Sequence, residues 1–198
     1  ISPSVKDKLA IAKLIDELGV SFIEGGWPGA SPKEEEFFSK AKKELNLKNA
    51  KLVSFGSTRK LNNAVEEDPQ VKALIDSETD YVCIVGKSSK LHITKALQTD
   101  VSNAIDMAVD TIKYLKSKDK KVFFDAEHFF DGYKEDSQTS IEILDAVIKA
   151  GTDCFIFCDT NGGTLPDEVH EILSEILNQY PKVKFGVHFQ NDNGCAVA

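Results

Sequence analysis

The sequence predicts an α/β fold, a (βα)8 TIM barrel that is partial, with the first and eighth strands absent from this chain. Three observations predict it. Short apolar runs begin at intervals of roughly 30 residues, the pitch that an eight-unit barrel of about 250 residues requires. Between the runs, apolar residues recur with helical period. Each run also ends in Gly with polar or charged residues, so in a sheet of parallel strands joined by helical crossovers those groups collect at one rim.

The chain opens in a helix, with Val5, Leu9, Ala12, Ile15 and Leu18 on one stripe. The first strand follows from Ser21 (SFIEGGWP), and Phe37, Phe38, Ala41 and Leu45 mark the next helix. Strands then begin near Lys51 (KLVSFGST) and Tyr81 (YVCIVGKSS), before a helix carrying Val101, Ile105, Ala108, Ile112 and Leu115. The strand Lys121 to Glu127 leads to a helix with Ile141, Leu144 and Val147, and the strand near Asp153 (DCFIFCDTNGG) to one with Val169, Ile172, Leu173 and Ile176. A last strand runs from Lys182 to His188, and Cys195 falls in a final helix start. A dinucleotide-binding open sheet would carry GxGxxG after its first strand, and no such pattern occurs. One domain, residues 1–198, is expected.

With 198 residues, 41% of them hydrophobic, the chain can bury a sizeable core. A net charge of -8 argues against nucleic acid or an anionic membrane as partner. No apolar run approaches a membrane span and no signal-peptide pattern opens the chain, so a cytoplasmic location is expected. The first residue, Ile1, suggests a trimmed protein or a partial reading frame. Cys83, Cys154 and Cys158 sit in strands without CxxC spacing and are expected to be buried free thiols.

The candidate site residues follow from the strand ends. Gly186, His188 and Gln190 share one strand face, bringing an imidazole and an amide together. Asp125 and Glu127 share the inward face of their strand, where two acids repel and one pKa rises, an arrangement suited to acid-base work. Glu24 ends the first strand beside Gly25 and Gly26, which let a ligand approach the backbone; a loop-capping role is its alternative. Arg59, Lys87 and His92 follow their strands and face the rim. Arg59 is preferred for bidentate contact with a carboxylate, against the alternative of an ordinary solvated charge. Thr164, Pro166 and Asp167 read as a helix N-terminus with Thr164 as cap.

Longer motifs stand in register along the whole chain: Ile23 to Gly29 with Pro32 to Phe38, Phe55 to Arg59, Gly86 to Ser88 with Leu91-His92, Asp125 to Tyr133, Cys158 to Pro166, and His188 to Ala198. Together they resemble the metal-dependent Claisen-condensing barrel family of isopropylmalate, homocitrate and citramalate synthases, and most of all its citramalate synthase-like branch. The resemblance implies an acyltransferase that condenses acetyl-CoA with a small α-keto acid, with pyruvate as the favoured substrate and citramalate the product. Isopropylmalate or homocitrate synthase is the alternative within enzymes. A non-catalytic fragment or binding module on the same scaffold is the alternative outside them.

The resemblance also implies a divalent metal (Mg, Mn or Zn) that binds the keto acid, acetyl-CoA as co-substrate, and a homo-oligomer. His188 matches the first histidine of the family's HxHND metal motif. Gln190 stands where that motif has its second, and an amide oxygen suits magnesium or manganese better than zinc. Glu127 is expected to contact the substrate or its activating water, with Glu24 and Asp125 as catalytic neighbours. Thr160 is expected at the substrate carboxylate, with Arg59 and His92. The family's Arg-Asp pair on its first strand, and a further ligand-bearing loop, would lie outside these residues.

Overall fold

Six strands pair in the order of the sequence, all parallel, in a computed structural model that describes residues 2–198. They are β1 (Phe22–Glu24), β2 (Lys51–Ser57), β3 (Tyr81–Lys87), β4 (Lys121–Glu127), β5 (Cys154–Asp159) and β6 (Phe185–Phe189). The helices are α1 (Val5–Glu17), α2 (Pro32–Glu44), α3 (Pro69–Asp76), α4 (Lys90–Lys95), α5 (Val101–Ser117), α6 (Phe129–Glu135), α7 (Ser137–Ala150) and α8 (Pro166–Gln179). Among the described residues none is long and apolar enough to cross a membrane.

Local chemistry sets the helix starts. Ser4 caps α1 in a capping box with Asp7, and Ser31, Asp68, Asp100 and Asp136 accept backbone N–H bonds at the starts of α2, α3, α5 and α7. Three elements differ from the sequence reading. The last strand begins at Phe185, because Val183 closes a turn onto the Tyr180 carbonyl at 3.1 Å. No helix follows β6, and the Cys195 N–H is held by the Asn193 side chain at 2.9 Å in a run of turns. The cap of α8 is Leu165 rather than Thr164; its N–H donates to Glu168 at 2.7 Å, while Thr164 turns back onto Asp159.

The core lies between the outer sheet face and the helices. Ile84, Phe124, Phe155 and Phe157 from the strands meet Leu74, Ile93, Ile112, Leu115, Leu144 and Ile176, each at most 1% exposed. The inner face is curved. In a flat sheet β1 and β4 would stand about 14 Å apart, three strand spacings, yet the Phe22 and Phe123 rings lie 5.1 Å apart, with Tyr81 5.1 Å from Phe22. Such curling makes the sheet an arc of a barrel, closed on its convex side by helices, with β1 and β6 as its edges.

Asp16, buried at the end of α1, accepts N–H bonds from Lys48, Asn49 and Ala50 at 2.7–2.9 Å and so ties the helix to the entry of β2. The bonds from Lys48 and Ala50 hold its carboxyl below the usual value. A depressed carboxyl contributes stability that is present above its unfolded pKa, about 3.9. That stability is lost as pH falls through the lower folded value. Replacing Asp16 by Asn is expected to lower the urea midpoint at pH 7 and to flatten its decline between pH 5 and 3. An unchanged acid limb would place the acid sensitivity elsewhere.

Candidate active site

Period-2 alternation and the common strand direction place Glu24 (β1), Asp125 and Glu127 (β4), Cys158 (β5) and His188 (β6) on the concave face toward the carboxyl ends of the strands. Below them is an apolar hollow of about 290 Å³ walled by Phe22, Val53, Phe123, Ile156 and Gly186.

Asp125 is the centre of the group. It is 6% exposed, and its carboxylate takes the Cys83 thiol at 3.4 Å and faces Nδ1 of His188 at 3.5 Å. Burial raises its carboxyl above the usual range, with the Cys83 and His188 contacts opposing that rise. Glu24 is raised as well, first by the desolvating wall and then by the Asp125 charge. Burial and the neighbouring carboxylates push the Cys158 thiol upward.

Strand register puts Cys158 opposite His188, and the ligand atoms of Asp125, Cys158 and His188 all lie within 4.8 Å of one another. A desolvated wall of carboxylates and thiols with one imidazole favours a cation, so the residues present fit a divalent metal. The sequence reading left Cys158 as a buried thiol. It is free and buried, but its pairing across to His188 depends on a register that no local motif announces.

A second group lies beside the first at the rim. Glu127 is ion-paired with Lys87, its register partner on β3. The His92 ring stacks on His128 at 3.6 Å, nearly parallel at 11°. His128 has a left-handed backbone (φ 59°, ψ 33°), a conformation uncommon for a non-glycine residue, and its N–H donates to the Thr160 hydroxyl at 2.8 Å. Asp131 lies 3.4 Å from His128 Nδ1 and accepts from Asn161 at 2.6 Å. Thr160 therefore pins β5 to the β4–α6 turn, and its own hydroxyl proton is left to donate.

One of the expected residues, Arg59, sits apart from these groups. Arg59 does not offer its guanidinium to the rim. It binds Asp110 through Nε at 3.0 Å and Nη2 at 2.7 Å, and donates to the carbonyls of Lys60, Leu61 and Asn63. Its bidentate chemistry holds the loop after β2 onto α5, a partner 51 residues away. Gln190 follows the end of β6; its N–H donates to the Asp159 carbonyl at 3.2 Å, and it lines a small cleft with Asp159, Thr164 and Phe189. Asp159, unremarked in the sequence, faces outward and organises that loop through the Thr164 N–H and hydroxyl, both at 3.0 Å.

The chain resembles known proteins in sequence and in fold. The chain is 49% identical over all its length to an (R)-citramalate synthase of Aquifex aeolicus (strain VF5), and spans 37% of that relative's length. A homocitrate synthase of Sulfolobus acidocaldarius is 30% identical over 96% of the chain, which spans 39% of it. In fold, the whole chain overlays 65% of a hydroxymethylglutaryl-CoA lyase from Pseudomonas aeruginosa with a TM-score of 0.80 at 14% identity, which fits a partial barrel. Residues 2–198 match the HMGL-like family, and the chain belongs to it.

Proposed function

We propose that this chain supplies most of the active-site wall of an acyltransferase that condenses acetyl-CoA with a small α-keto acid, pyruvate giving citramalate. One observation carries the reading: Glu24, Asp125, Glu127 and His188 converge on one concave rim around the buried Asp125. The 49% identity to a citramalate synthase, against 30% to a homocitrate synthase, supports the smaller keto acid.

A divalent metal held at His188 would polarise the keto carbonyl. The chain's own groups do the rest. Glu127, oriented by Lys87, is placed to move a proton to or from substrate or water. The Thr160 hydroxyl accepts the His128 N–H and keeps its own proton to donate to the substrate carboxylate. Phe22 and Phe123 give the site an apolar aromatic floor.

The test is release of free CoA thiol from acetyl-CoA by the polypeptide that carries these residues, with pyruvate and with larger keto acids. Pyruvate-dependent release is expected. Release with a larger keto acid only would move the reading to homocitrate or isopropylmalate synthesis. No release with any keto acid would end it.

A further inference from the structure

We propose that His128 is a positioning residue for His92: its ring, stacked face to face on the His92 ring and held from behind by the β4–α6 turn, sets the plane in which His92 meets the substrate. That His92 meets the substrate rests on the function proposed above; the hold on its ring rests on geometry alone.

The support is built from one side. His128 is 8% exposed, and the His92 ring lies on it at 3.6 Å, within 11° of parallel. The backbone of His128 is set in the left-handed region, φ 59° and ψ 33°, with its N–H on the Thr160 hydroxyl at 2.8 Å. Asp131 stands 3.4 Å from its Nδ1, and Asn161 anchors that carboxylate in turn at 2.6 Å. His92 is half-buried on α4, a helix of only 6 residues. Its ring therefore takes its plane from the stack.

The stack also bears on charge. Two protonated imidazoles face to face repel, so a second proton on the pair is disfavoured. The charged groups facing His92 are Lys87 at the end of β3, Glu127 at the end of β4 and Asp131 on α6. Burial pushes the His92 ring below the usual histidine value, His128 and Lys87 push the same way, and Glu127 and Asp131 oppose them. His92 thus stands at the rim as a neutral ring. A neutral imidazole carries one N–H to donate and one lone pair to accept, so a fixed plane aims both. A charged ring has no acceptor to aim.

Proton NMR of the imidazole signals, in the whole polypeptide that carries these residues, tests the positioning, with His92 assigned by the signal lost in His92→Gln. In the unmodified protein the His92 ring protons are expected upfield of an unstacked imidazole, displaced by the ring current of His128, and to titrate below the ordinary value of about 6.5. His128→Asn deletes the ring and suits the left-handed backbone, where asparagine is enriched. It should move the His92 protons downfield and their titration upward, and the pH step in KM for pyruvate should move upward with them. A ring that only filled space would leave that step where it was. Unstacked His92 protons in the unmodified protein would overturn the proposal even if the variant fails to fold; so would a His92 titration that His128→Asn leaves in place. A stacked His92 with a lowered titration, in a protein without keto-acid-dependent thiol release, would sink the proposed function and leave the positioning standing. Turnover with pyruvate by a protein whose His92 is unstacked would do the reverse.

Discussion

Replacing Phe155 by Ala is expected to destabilise the protein by about 3–5 kcal/mol, the cost of deleting a fully buried aromatic side chain whose site cannot collapse. The ring is 0% exposed and stands at the centre of the convex aromatic core, with Phe157 at 5.1 Å, Phe124 at 5.7 Å, Phe129 at 5.8 Å and Phe185 at 6.5 Å. A domain is ordinarily stable by only about 5–15 kcal/mol, so this loss would take much of the margin. The effect should be uneven. β6 pairs with β5 alone and is anchored from the convex side by Phe185 and Phe189, so its amides should lose hydrogen-exchange protection before those of β3 and β4. Because β6 carries His188, loosening the core also unsettles the site. Urea unfolding would check the magnitude, with Phe22→Ala, a half-exposed ring on the concave face, as the milder control. A loss at Phe155 below about 1 kcal/mol, ordinary for an arbitrary substitution, would deny the cluster its central role.

How much of this was legible in the sequence depends on the range over which each feature is decided. The βα rhythm and the period-2 alternation are local, so the placing of Glu24, Asp125, Glu127 and His188 at strand ends could be read directly. Helices of one or two turns could not: α3, α4 and α6 are too short for their apolar residues to establish a period. Arg59 has the chemistry of a carboxylate ligand, and it found a carboxylate; that the partner is Asp110 on α5 is a tertiary fact. The stack of His92 on His128, across 36 residues, left no signal in either local motif. Cys158 is the instructive case. Its strand was legible and its inward side could be assigned, but the register that pairs it with His188 is set by how the whole β5–β6 ladder seats.

Among the described residues β1 and β6 are the outer strands of the sheet. Among the described residues, half-exposed His188 stands on β6, which pairs with β5, and exposed Glu24 on β1, which pairs with β2. Edge strands carry unpaired backbone groups that further strands or a second copy would satisfy. Residues at the middle of the arc, Asp125 and Cys158 above all, are already fixed by two neighbours each, and their geometry does not depend on what meets the edges.

Glu127 belongs to that settled part, and Glu127→Gln is expected to cut turnover by about 100- to 10,000-fold, the usual contribution of a positioned acid-base group. Binding of the keto acid should change far less, because the amide keeps the size and most of the polarity of the carboxylate; the loss should therefore appear in kcat rather than KM. The substitution also breaks the ion pair with Lys87, which raises the question of whether a fall reports lost chemistry or a disturbed rim. Lys87→Met separates the two. It removes the partner and leaves the acid, and since both side chains are about one quarter exposed the pair itself contributes modestly, so the expected loss is less than about tenfold. Equal losses in the two variants would make Glu127 a structural partner of Lys87. Unchanged turnover in Glu127→Gln would remove it from the chemistry and leave Glu24 and Asp125 as the candidate acids among the described residues of the concave face.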